Sequence, residues 1–105
     1  MADFIKVAKL SDIDEGELLE VEVDGEPVCL AKVEGVIYAV TGICTHIGGP
    51  LAEGDLDDDV LTCPWHGAQF NVRTGKVLHG PAREDIQTYP VKIEDQDILL
   101  SLAKA

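Results

Sequence analysis

Leu19-Glu20-Val21-Glu22-Val23-Asp24-Gly25, Val28-Cys29-Leu30-Ala31-Lys32-Val33, Glu34-Gly35 and Val36-Ile37-Tyr38-Ala39-Val40 follow one another in the first half of the chain. Leu19, Val21 and Val23 alternate with Glu20 and Glu22, the period of a strand with one wet face. Asp24-Gly25 and Glu34-Gly35 each separate two apolar runs, and glycine there supplies the positive φ of a tight hairpin turn. The stretch therefore reads as three antiparallel strands. Further strands are expected at Val60-Leu61-Thr62, Gln69-Phe70-Asn71-Val72, Tyr89 to Ile93 and Ile98 to Leu102. Turns at Asp57-Asp58, Thr74-Gly75 and Asp95-Gln96 separate them, and Ser11 to Glu15 forms a single capped helical turn. Many short strands at close spacing predict an all-β sandwich or barrel.

The chain has 105 residues, the size of one domain, and 46% of them are apolar, enough to close a modest core. Aromatics make up only 5%, so that core rests on Val, Ile, Leu and Ala. Lys and Arg number 8 against 20 Asp and Glu, a net charge of −12. Phosphate backbones and anionic lipid repel such a polyanion, so nucleic acid and membrane surfaces are poor candidates as partners. Eight acids and no base fall within residues 11–26, and five acids and no base within 53–59. These are solvated faces or a docking field for a basic partner. No apolar run approaches the roughly 18 to 20 residues of a membrane span. Met1-Ala2-Asp3-Phe4-Ile5-Lys6 lacks the marks of a signal peptide, and a cytoplasmic location is expected.

Three cysteines cannot form a disulfide framework. Cys29 lies in an apolar strand and reads as a core thiol. The other two belong to a pattern. Cys44-Thr45-His46, followed by Ile47-Gly48-Gly49-Pro50, precedes Cys63-Pro64-Trp65-His66-Gly67 by an interval of sixteen residues. Residues two apart in an extended segment project to the same side, and residues three apart converge across a tight turn. Each segment thus offers one thiolate and one imidazole. Two thiolates and two imidazoles suit tetrahedral zinc or a mixed-ligand iron–sulfur cluster. The repeated order Cys then His favours a two-iron cluster, with both cysteines on one iron and both histidines on the other. Neutral imidazole raises the potential above that of an all-cysteine cluster, to roughly −150 to +300 mV. His79 reads as a surface histidine or a docking residue, Trp65 as packing around the site, and Phe70 as core.

The two segments resemble the cluster-binding loops of Rieske proteins. The likeness continues through Gln69-Phe70-Asn71-Val72-Arg73-Thr74-Gly75-Lys76 and Gly80-Pro81 to Tyr89-Pro90-Val91, as in soluble bacterial Rieske ferredoxins. It implies three antiparallel sheets in a single domain over residues 1–105, with a small cluster-binding subdomain at about 43–82. It implies one 2Fe-2S cluster, with Cys44 and Cys63 on the inner iron and His46 and His66 on the outer iron near the tip. Gly80-Pro81 falls where the family has a proline loop. Respiratory Rieske subunits carry an extra disulfide where this chain has Gly49 and Trp65, and hydroxyl donors where it has Ala68 and Phe70. Fewer donors near sulfur imply a low potential.

With two of three histidines spent on the cluster, His79 alone cannot build an oxygen-activating iron site, and no nucleotide-binding glycine motif exists. The resemblance therefore implies a non-catalytic, one-electron carrier in aromatic hydrocarbon catabolism. It would take electrons from a flavin-dependent reductase, pass them to a terminal Rieske non-heme iron oxygenase, and act as a monomer. The alternatives are the small subunit of an assimilatory nitrite reductase, which often lacks the ligands, and a non-redox zinc-bound interaction module.

Overall fold

A computed structural model describes residues 4–42, 51–64, 67–80 and 85–102. Its strands are β1 (Ile5–Lys9), β2 (Leu18–Val23), β3 (Glu26–Val33), β4 (Val36–Thr41), β5 (Asp55–Asp57) and β6 (Val60–Thr62). They continue with β7 (Gln69–Asn71), β8 (Val77–His79), β9 (Thr88–Tyr89), β10 (Val91–Glu94) and β11 (Asp97–Leu100). All pairings are antiparallel. The strands form three sheets, ordered β1-β11-β10, β2-β3-β4-β9 and β5-β6-β7-β8. The expected all-β, three-sheet class is what the chain adopts.

The quoted stretch becomes the central sheet. Val23 pairs with Glu26 across Asp24-Gly25, and Val33 with Val36 across Glu34-Gly35. Asp24 and Gly25 both have positive φ, as do Glu34 and Gly35, the geometry that matches strand twist in a two-residue hairpin. Glu20 and Glu22 on β2 are exposed, as the alternation requires. β3 differs, because it is buried on both faces. Cys29, Ala31 and Val33 enter one core with Val40, Leu51, Leu61, Cys63, Phe70 and Val72. Val28 and Leu30 enter a second core with Ile13, Ile37, Ala39, Ile98 and Leu100. The central sheet thus lies between the β1-β11-β10 layer and the β5–β8 layer.

The expected strand from Tyr89 to Ile93 is two strands. Pro90 has no N–H to donate, so the ladder breaks there. Tyr89 pairs with Ala39 in the central sheet, whereas Val91 pairs with Leu100 in the outer one. The turn expected at Asp57-Asp58 lies at Asp58-Asp59, since Asp57 still pairs with Val60. The helical turn expected at Ser11 to Glu15 is a 3-10 turn over Leu10–Asp12, where the Lys9 N–H donates to the Asp12 carboxylate at 2.9 Å. β1, β5 and β8 were not anticipated; each of the last two has three residues and no extended alternation.

Candidate metal centre

β6 leads into Cys63 and β7 leads out from Ala68, with Leu61 opposite Phe70 and Thr62 opposite Gln69. Because successive side chains alternate, Leu61 and Cys63 share a face, and so do Ala68, Phe70 and Val72. That face is the core: Leu61, Ala68 and Phe70 are fully buried and Cys63 is 2% exposed. The Cys63 N–H donates to the Ala68 carbonyl at 2.7 Å, which closes the chain around residues 64–67. On the opposite face the Gln69 amide donates to the Thr62 hydroxyl at 3.3 Å. Cys63 is therefore held by a short, tight hairpin against an apolar wall that excludes water.

Residues 43–50 are likewise bounded by fixed ends. The Leu51 N–H donates to the Gly42 carbonyl at 3.0 Å, and the Gly42 N–H donates to the Pro27 carbonyl at 2.9 Å. Leu51 is fully buried in the same core as Cys63. Gly54, just beyond the 3-10 turn Leu51–Glu53, lies so near the Thr62 carbonyl that a Cβ there would overlap it. Glycine is required for that approach, and it brings the Leu51–Glu53 turn alongside the residue preceding Cys63.

The flanks of residues 81–84 meet the same region. Val77 N–H donates to the Asp85 carboxylate at 2.9 Å, Ile86 N–H to the Gly75 carbonyl at 2.8 Å, and Thr41 N–H to the Gln87 carbonyl at 2.9 Å. Ile86 joins Leu51, Cys63 and Ala68 in one core. His79 pairs with Gln69 on the edge strand β8 and is exposed. Of the expected ligands, Cys63 is placed here, and Cys44, His46 and His66 lie outside the described residues. So do Ile47, Gly48, Gly49, Pro50, Trp65, Pro81 and Arg83. Among the described residues no three His, Cys, Asp or Glu side chains gather to hold a metal.

The second thiol of this core is Cys29, as the strand pattern predicts. Burial pushes it up to about 12, with the Glu20 charge adding to the effect. A thiol held protonated so firmly is a poor ligand and nucleophile. Cys63 stands at the end of a strand instead, beside a turn, where a thiolate can meet partners from other segments. A buried thiolate needs either cations or a metal to offset its charge, and a thiol at a strand end against an apolar wall suits a sulfur-rich group. The described part of the site fits the cluster.

Comparison with known families gives the same direction. The Rieske [2Fe-2S] domain family matches residues 3–90. This chain belongs to that family. The Rieske chain is 42% identical over 100 residues to the ferredoxin component of naphthalene 1,2-dioxygenase/salicylate 5-hydroxylase systems of a Ralstonia species, covering 95% of this chain and 96% of the relative. It is 38% identical over 103 residues to the biphenyl dioxygenase ferredoxin subunit of Pseudomonas sp. strain KKS102, covering 97% and 94%. It also superposes on a chain from a complex of reduced oxygenase and oxidized ferredoxin in carbazole 1,9a-dioxygenase. That match has a TM-score of 0.92 and 32% identity, over 97% of this chain and 95% of the other. The Rieske chain is thus of the dioxygenase-ferredoxin type, and a 2Fe-2S cluster of Rieske type is its cofactor. These relatives are electron carriers of oxygenase systems rather than catalysts, which favours that class over the nitrite reductase subunit. Among the described residues no helix is long and apolar enough to cross a membrane.

The sequence reading missed Leu51, Gly54 and Asp85 as residues that bring the segment ends together. Leu51 and Gly54 follow the first ligand segment directly, which is the one signal that pointed to them.

Proposed function

We propose that this Rieske protein is the one-electron carrier of an aromatic-ring-hydroxylating oxygenase system, between a flavin-dependent reductase and a terminal Rieske non-heme iron oxygenase. The observation that carries this reading is the match to a dioxygenase ferredoxin component, 42% identical over 95% of this chain and 96% of the relative. When bound, the cluster supplies reversible one-electron redox chemistry. Cys44 and Cys63 would hold one iron, and His46 and His66 the other. The burial of Cys63, its closed turn and the convergent flanks of residues 43–50 support this assignment. We place the ligands in a cluster-binding subdomain at about 43–82 of a single domain spanning 1–105.

The low potential rests on Ala68 and Phe70. Both are fully buried beside Cys63, and neither side chain has a donor to stabilise a more negative cluster. The Cys63 backbone N–H is turned to the Ala68 carbonyl, so it is not aimed at sulfur. A monomer in the cytoplasm, bound to neither nucleic acid nor membrane, suits a small acidic shuttle of net charge −12.

Visible absorption and low-temperature EPR of the purified protein, before and after dithionite, test this reading. The expected result is a red-brown protein, silent when oxidised, with a rhombic signal on reduction whose average g lies below that of all-cysteine two-iron clusters. A colourless, anaerobically isolated protein with stoichiometric zinc overturns it in favour of the interaction module.

A further inference from the structure

Arg73 follows β7 at the end of the β6–β7 hairpin remote from Cys63, about 10 Å along three strand residues at about 3.3 Å each. Its Nε lies 3.3 Å from Asp59 of the β5–β6 turn and its Nη2 3.8 Å from Glu34 of the β3–β4 turn. Its Nη1 donates to the Tyr38 hydroxyl at 3.3 Å, and the guanidinium sits 5.5 Å from the Tyr38 ring centroid. Asp59 and Arg73 belong to the β5–β8 layer, and Glu34 and Tyr38 to the central sheet. Tyr38 also packs against the core that holds Val72, so the guanidinium lies at the edge of the joint between the two layers. A cleft of about 250 Å³ opens beside it, lined by Ile37, Tyr38, Ala39, Val72, Arg73 and Tyr89. The hairpin itself is stiffened there: Asn71 Nδ2 donates to the Asp59 carboxylate at 3.2 Å, and Val72 N–H to the Asp59 carbonyl at 2.9 Å.

We infer that Arg73 is a positioning residue, which bridges the β5–β6 turn to the β3–β4 turn and Tyr38 and fixes the angle at which the β6–β7 hairpin presents Cys63 to the cluster. This rests on the function proposed above. The guanidinium is planar and multidentate, so this one side chain joins the β5–β6 turn, the β3–β4 turn and Tyr38 of β4 at once. A Lys at the position keeps the charge but reaches one partner at a time and stacks less well on Tyr38. The network is half-exposed, so it contributes more to local opening at the hairpin root than to global stability.

The test compares holoprotein carrying Arg73→Ala, Arg73→Lys and Tyr38→Phe with the wild type. Arg73→Ala is expected to broaden the reduced EPR lines and to speed iron loss to a chelator about fivefold, the size of one ordinary ion network opposing local opening. Amide exchange of Leu61 and Val72 should quicken in parallel, with Arg73→Lys intermediate. If Arg73→Ala does not fold, Tyr38→Phe, which removes only the hydroxyl acceptor, is read for the same changes on a smaller scale. A lower melting temperature with unchanged EPR lines and iron loss would show a merely structural residue and overturn the inference. Full restoration by Arg73→Lys overturns it too, since charge alone would then suffice. A protein that never holds iron defeats the proposed function, while the exchange of Leu61 and Val72 still decides the clamp.

Discussion

The core between the central sheet and β1-β11-β10 is built almost wholly from strand residues, Ile13 being the exception. The core on the other face of β3 is built differently, because Leu51, Cys63, Ala68, Val72 and Ile86 all lie outside strands. Both bury β3 side chains to the same degree. The first core closes on itself, whereas the second opens towards segment ends and contains two thiols, Cys29 and Cys63. A core made only of strand interiors fixes a fold; one that extends to strand ends can also hold a group between segments.

The largest effect that probes this contrast is expected for Cys63→Ser, which should abolish iron retention as read by visible absorbance, while Cys29→Ala leaves the spectrum unchanged. Iron retained at wild-type level by Cys63→Ser would remove the hairpin from the site. Next comes packing. Phe70→Ala should cost about 3–5 kcal/mol in denaturant unfolding and disturb the EPR lines, because Phe70 backs the wall on which Cys63 rests. Leu30→Ala should cost about 2–5 kcal/mol with unaltered EPR lines, since its side chain faces the other core. Equal spectral damage from both would erase the distinction between the two cores.

A smaller effect concerns Cys29, whose thiol is pushed up to about 12 chiefly by burial. At pH 8 it should not react with a disulfide reagent until denaturant is added, and rapid labelling of the folded protein would contradict the burial. The smallest concerns Glu15, whose carboxylate accepts the N–H groups of Gly35 at 2.8 Å and Glu34 at 2.7 Å. Those two bonds hold it below its ordinary value of 4.5. The stability they give is therefore present above that value and is lost as pH falls through the folded-state value. Glu15→Gln should flatten the acid limb of the stability curve below about pH 4.5, as followed by circular dichroism. An unchanged limb would mean that the turn does not depend on this carboxylate.

The hairpins β2-β3-β4 were legible because Asp24-Gly25 and Glu34-Gly35 punctuate apolar runs, a local signal. Cys63 was legible for the same reason, through its spacing to His66 and its likeness to a family motif. β5 and β8 were not, because Asp55-Leu56-Asp57 has a single apolar side chain and Val77-Leu78-His79 no alternation. The break at Pro90 was visible as a residue, but the change of sheet it causes depends on Ala39 and Leu100, which are distant in sequence. Arg73 was visible only as one residue of the Gln69 to Lys76 stretch that carries the family likeness. Its contact with Tyr38 joins positions 35 residues apart and leaves no mark in any local pattern.

The pairing of β1 with β11, Ile5 opposite Leu100, carries a consequence for synthesis. A ribosome makes β1 long before β11, so the outer layer stays open until that later strand has emerged. Phe4 and Ile5, apolar and still partly exposed in the finished protein, must wait for that partner. The β5–β8 layer, whose strands each pair with a neighbour in sequence, has no such delay. The β5–β8 half is thus free to take shape before the half that seals the chain.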